Sequence, residues 1–93
     1  MAEADLMQIG RYTLRTWGIR QAERYLSGLE ACCQLLADHA PLGRECGEIR
    51  PGLRRMEHGS HVIFFRQRKN GILVSRILHE RMVPASHRLE DQR

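Results

Sequence analysis

The stretch that most constrains this chain is Glu48 to Arg66, Glu-Ile-Arg-Pro-Gly-Leu-Arg-Arg-Met-Glu-His-Gly-Ser-His-Val-Ile-Phe-Phe-Arg. It holds a turn at Arg50-Pro51-Gly52, a short basic strand, a second turn at His58-Gly59, and the most apolar run in the chain. Proline presets φ for the first turn and glycine permits positive φ, so the backbone must double back here. Val62, Ile63, Phe64 and Phe65 form an unbroken apolar run rich in β-branched and aromatic residues, the pattern of a strand covered on both faces. Arg50, Arg54, Arg55 and Arg66 surround it. One short segment is thus expected to supply both core and working surface.

Upstream the period changes. Leu6, Ile9, Thr13 and Trp17 recur at helical spacing, with Tyr12 widening the stripe, and predict a helix over 3–17 that Gly18 stops. A second helix is expected over 20–39, with Ala22, Tyr25, Leu26, Leu29, Cys33 and Leu36 on one face. So short a link makes them an antiparallel αα-hairpin. Trp17 and Tyr25, at helical spacing, read as core residues.

Downstream, strands are expected over 53–57, 60–67 and 72–79. Pro41-Leu42-Gly43 opens the loop that leads to them, and Asn70-Gly71 reads as a type I′ hairpin turn between the last two. From Glu80 the chain is polar and broken by Pro84, a short helix or a partly disordered tail. The reading is one α+β domain over 1–93, an N-terminal αα-hairpin packed on a small antiparallel sheet. Three strands leave two edges, and two helices cannot bury both faces of the central strand. A partner is therefore expected on the second face.

Charge says what kind of partner. Residues 1–48 carry five Arg against seven acidic residues, a balance of −2. Residues 49–81 carry seven Arg and one Lys against Glu57 and Glu80, a balance of +6, and the rest cancels to leave the net +4. A positive surface over the strands fits an acidic protein segment or nucleic acid. Fourteen of the fifteen cations are Arg, which suits bidentate contacts to carboxylate or phosphate, although a GC-rich genome gives the same bias. Stacking on nucleic acid would fall to Phe64 and Phe65, which read as core.

Other classes are disfavoured. No apolar run approaches a membrane span and no leader is evident, so the cytoplasm is the default. Cys32, Cys33 and Cys46 are an odd number with two adjacent, which is no disulfide framework. Cys33 with His39 and Cys46 makes only a loose zinc pattern. Neither metal nor cofactor is expected. For acid–base work, His61, His79, Glu80 and Arg81 are the candidates, with His87 in the tail. The tyrosines Tyr12 and Tyr25 belong to the helices, Lys69 to a hairpin tip, and no positioned catalytic pair emerges. Gly52 and Gly59 are backbone devices.

Several segments, in this order, resemble one family. They are Trp17-Gly18 with Gln21-Ala22 and Tyr25-Leu26, Pro41-Leu42-Gly43-Arg44, Ile49 to Arg55, Gly59 to Arg66, Gly71-Ile72, and Arg76 to Met82. Together, from about Ala2 to Met82, they resemble the ParE toxins of the RelE/ParE superfamily of type II toxin–antitoxin modules. The resemblance implies a non-enzymatic toxin that binds and poisons DNA gyrase and stops replication. It implies neutralisation by a ParD-like antitoxin whose ribbon-helix-helix half binds DNA and whose disordered half folds on the toxin. DNA is then met only through the antitoxin, and a toxin homodimer within a hetero-oligomer is allowed.

On that picture Arg50, Arg54, Arg55, Phe64, Arg66 and Arg76 are the antitoxin-binding residues, and His79, Arg81 and Met82 the gyrase contacts. Alternatives are a RelE-type ribosome-dependent mRNA endonuclease, or a degenerate partner that binds antitoxin without being toxic. Family members usually open with an extra strand before the position of Ala2, and this sequence opens almost at the first helix. The expectation is a sheet edge left for the antitoxin or a second toxin copy.

Overall fold

Two helices meeting at a glycine set the frame. In the computed structural model, which describes residues 2–83, α1 (Ala2–Trp17) and α2 (Ile19–Asp38) are joined by Gly18 alone, at φ 92°. A Cβ at Gly10 would lie 3.4 Å from Leu26, the pairing of two helices folded back about Gly18. A 3-10 turn (Ala40–Leu42), with Pro41 at its start, ends the helical half. Four strands follow: β1 (Arg44–Glu45), β2 (Leu53–His58), β3 (His61–Arg68) and β4 (Gly71–His79), and then a second 3-10 turn (Glu80–Met82). The expectations that fall on Pro84 and His87 lie outside the described residues.

The sheet runs β1-β2-β3-β4, antiparallel throughout. It has one strand more than the sequence suggested. Arg44 and Glu45, read as loop, pair with Arg55 and Arg54. Gly43 lets them in, because a Cβ there would collide with the Phe65 ring. A second difference is the last hairpin. Arg68 pairs with Gly71, so Lys69-Asn70 form its two-residue loop, and among the described residues positive φ falls on Gly71 (146°) and on no non-glycine residue. A type I′ turn over Asn70-Gly71 is therefore not what forms. Between Phe64 and Phe65 the register slips, leaving Ser75 as an extra residue on β4.

The period of two along β3 sorts its apolar run into two cores. Ile63 and Phe65 face the helices with Ile9, Leu29, Leu36, Ala40 and Ile77. Val62 and Phe64 face the other way with Cys46, Leu53 and Val83. Each large apolar side chain so buried contributes about 1.5–3 kcal/mol. In α2 the expected face is the buried one, through Ala22, Leu29 and Leu36. In α1 the buried stripe is Asp5, Ile9 and Thr13, and Trp17 is 66% exposed rather than core. Trp17 continues the stripe by spacing, but it is the last residue of α1, where the chain turns at Gly18, and it joins neither core cluster. Thr13 turns its hydroxyl back on the Ile9 carbonyl at 2.6 Å, which satisfies it inside the core.

Candidate functional site

The sheet face that the helices leave uncovered is closed only in part. Cys46 to Leu53 folds over it as two successive turns, held by Cys46 N–H to the Leu53 carbonyl (2.9 Å) and Leu53 N–H to the Arg50 carbonyl (3.1 Å). Val83 comes in from the C-terminal side. Between them lies a groove of about 360 Å³, walled by Ile49 and Val83 over Leu53, Phe64 and Leu78, with Arg50 and Arg66 also lining it. Arg66 is steadied by a 2.8 Å bond from Nη1 to the Pro51 carbonyl. An apolar floor beside two guanidinium groups suits an amphipathic acidic ligand.

Of the six residues expected to bind antitoxin, three meet here: Arg50, Phe64 and Arg66. The others are engaged within the chain. Arg54 donates to the Gly43 carbonyl at 2.8 Å and lies 3.6 Å from Glu45. Arg55 is buried; Nε and Nη2 both reach Glu57 at 3.0 Å, while Nη1 has no hydrogen-bond partner among the described residues. Arg76 grips Asp5 of α1 through Nε (2.8 Å) and Nη2 (2.9 Å). The Asp5 carboxylate also accepts the Ile77 N–H at 2.9 Å, at the open side of β4. The edge expected to stand free is thus taken at this point by α1.

Asp5 is held below the usual carboxylate range, first by the hydrogen bond from Arg76, against the opposing effect of burial, with further help from the Ile77 N–H. The same bond raises Arg76. All three thiols are raised, mainly by burial, so they are poor nucleophiles near neutrality.

His79, Arg81 and Met82 stand at the far end of β4. Arg81 N–H donates to His79 Nδ1 at 3.1 Å, Glu80 N–H donates to the Ser60 carbonyl at 2.8 Å, and Met82 is 60% exposed. Beneath this turn is a cluster that sequence reasoning missed. The Tyr25 hydroxyl lies 2.6 Å from His61 Nδ1 and donates to the His58 carbonyl at 3.1 Å. The His61 and His79 rings meet edge-on, 5.3 Å between centroids. Burial lowers His61, and the neighbouring His79 and His58 add to the effect. Burial likewise raises Tyr25. Gly59, at φ 57°, makes the approach workable, since a Cβ there would come within 2.8 Å of the Tyr25 ring. So His61 and His79 do come together, while Glu80 is exposed. Among the described residues no group of three His, Cys, Asp or Glu is arranged to hold a metal ion, and no helix is long and apolar enough to cross a membrane.

Residues 1–84 match the family described as ParE toxin of type II toxin-antitoxin system, parDE. The chain is 43% identical over 82 residues to Toxin ParE1 of Mycobacterium tuberculosis H37Rv, covering 87% of this chain and 84% of that one. It is 38% identical over 88 residues to Toxin ParE1 of Caulobacter vibrioides, covering 92% and 88%. To Toxin ParE of Escherichia coli it is 42% identical over 83 residues, covering 87% and 80%. Among solved structures the fold is that of a chain in the chromosomal ParDE system from P. aeruginosa, with a TM-score of 0.69 and 24% identity, covering 84% of this chain and 86% of that one.

Proposed function

The chain belongs to the ParE toxins of type II toxin–antitoxin systems, and from that membership we propose that it poisons DNA gyrase by binding it and is neutralised by a ParD-like antitoxin. The observation that carries the antitoxin half is the groove over Leu53, Phe64 and Leu78 with Arg50 and Arg66. A disordered acidic segment that folds on binding would cover the apolar floor and pair with the guanidinium groups, and its ordering cost is offset by that burial. Arg54, Arg55 and Arg76 then act by holding the face in shape. The His79–Met82 turn, exposed at Arg81 and Met82, is the contact offered to gyrase. Its chemistry is recognition, with no bond made or broken by this chain, and its place of action is the cytoplasm.

The test is supercoiling by purified gyrase with and without this protein, scored for cleaved, linear DNA. Accumulated cleavage complexes that disappear on adding the antitoxin are the expected result. Unchanged supercoiling together with cleavage of mRNA on translating ribosomes would replace the reading with a nuclease built around His61 and His79. No effect in either assay would leave an antitoxin partner that is not itself toxic.

A further inference from the structure

The tip of the αα-hairpin carries a second surface, on the helix side of the sheet and away from the groove. Every residue from Leu14 to Gln21 is exposed. Three are large and apolar: Leu14 is 50% exposed, Trp17 66% and Ile19 65%. Apart from its chain neighbours, nothing lies within 4 Å of where a Cβ of Gly18 would stand. Neither core cluster includes Trp17 or Ile19.

The charges around the tip are one-sided. Between Leu6 and Leu29 stand Arg11, Arg15, Arg20 and Arg24, with Glu23 as the only acid. None of these arginines holds an ion pair among the described residues. An exposed Trp and Ile among unpaired guanidinium groups is the composition of an interface centre, where Trp and Arg supply most of the binding energy.

Charge and shape together select the occupant. A second copy of this chain is disfavoured, because its tip repels an identical tip and its strands carry +6 over residues 49–81. Nucleic acid would satisfy the arginines but leave Leu14 and Ile19 nothing apolar to bury against. A protein pocket satisfies both.

We propose that the hairpin tip docks into a protein surface that offers an apolar pocket to Trp17 and Ile19 and carboxylates around it to Arg15 and Arg20. The identity of that protein rests on the functional reading above: it is the toxin's target, held by the helices while the antitoxin occupies the opposite face of the sheet. Target recognition then extends well beyond the His79–Met82 turn.

The experiment uses the full chain and purified, immobilised DNA gyrase, with a short DNA duplex as a second probe. Two double variants are compared with wild type: Trp17→Ala with Ile19→Ser, and Arg15→Glu with Arg20→Glu. Circular dichroism and urea midpoints verify that each is folded. Each pair is expected to weaken gyrase binding at least roughly tenfold. If both bind gyrase as tightly as wild type, the proposal is overturned and the functional reading stands, and loss of duplex binding alone would mark the tip as a nucleic-acid contact. If wild type itself does not bind gyrase, the functional reading falls and takes this proposal with it.

Discussion

Asp5 and Arg76, 71 residues apart, close the fold between its first helix and its last strand. The carboxylate takes two guanidinium N–H groups, at 2.8 and 2.9 Å, and the Ile77 backbone N–H at 2.9 Å. That backbone group faces the outer side of β4, where no further strand follows in the described sheet. One acidic side chain on α1 therefore docks a helix and satisfies a sheet edge together.

Removing either partner is expected to have different signatures. Asp5→Ala leaves the buried Ile77 N–H without an acceptor and should cost about 2–4 kcal/mol in urea unfolding. Arg76 is partly exposed, so Arg76→Ala should cost less than Asp5→Ala. The pH dependence separates them further. Asp5 is lowered below 3.8, so its contribution is fully present above 3.8 and is lost as pH falls through the lower folded value. In Arg76→Ala the main lowering influence is gone and burial remains, so the acid-unfolding midpoint should move to higher pH. An unmoved midpoint would show that Arg76 does not set the Asp5 pKa.

His61 has the same sign of linkage in a higher pH window. Burial lowers it below 6.5, with His79 and His58 as like-charged neighbours and Glu80 acting weakly against them. The unfolded chain then binds the proton first. Stability should fall as pH drops from 6.5 toward the folded value, and be indifferent to this group above 6.5. An NMR titration of the His61 ring should show its midpoint below 6.5. A midpoint above 6.5 would mean that Tyr25 and Glu80 favour the imidazolium more than burial disfavours it.

Arg55 and Glu57 give a test of how a buried charge is tolerated. The Arg55 side chain is 2% exposed and that of Glu57 37%. Glu57→Ala strands a buried cation and should cost about 2–3 kcal/mol, discounted from a fully buried pair for the exposure of Glu57. Arg55→Met removes the charge together with the unpartnered Nη1 and should be within about 1 kcal/mol of wild type. Thermal unfolding of the two variants decides the order. A reversed order would show that Arg55 is held by more than Glu57.

The parts of this molecule that were legible from sequence are those governed by local period. Ala22, Leu29 and Leu36 repeat at helical spacing and are buried, and the Val62–Phe65 run lies in a strand covered on both faces, as its composition requires. What was illegible depends on contacts between distant residues. Trp17 fits the α1 stripe, but spacing cannot show that it stands exposed at the end of the helix. Arg44-Glu45 is too short to carry a strand pattern, and becomes a strand only because Gly43 passes over Phe65. The arginines read as one basic surface, yet Arg55 and Arg76 are consumed by Glu57 and Asp5. Tyr25 gave no sign of His61, since the two are 36 residues apart and meet only after the helices dock.

The division among the arginines leads to a prediction about antitoxin binding. If an acidic segment fills the groove, only arginines that face it with donors to spare should respond to charge reversal. Arg50 is exposed, and Arg66 spends one bond on Pro51. Arg50→Glu with Arg66→Glu should weaken the antitoxin by about 10- to 100-fold and flatten the salt dependence of its affinity, because each lost ion pair removes a screened attraction. The fold should be unaffected, so urea midpoints stay within about 1 kcal/mol of wild type. Phe64→Ala offers a contrast, since it empties the floor and should lower both affinity and stability. Equal antitoxin affinity for wild type and the double charge reversal, measured at low salt, would place the antitoxin elsewhere on the molecule.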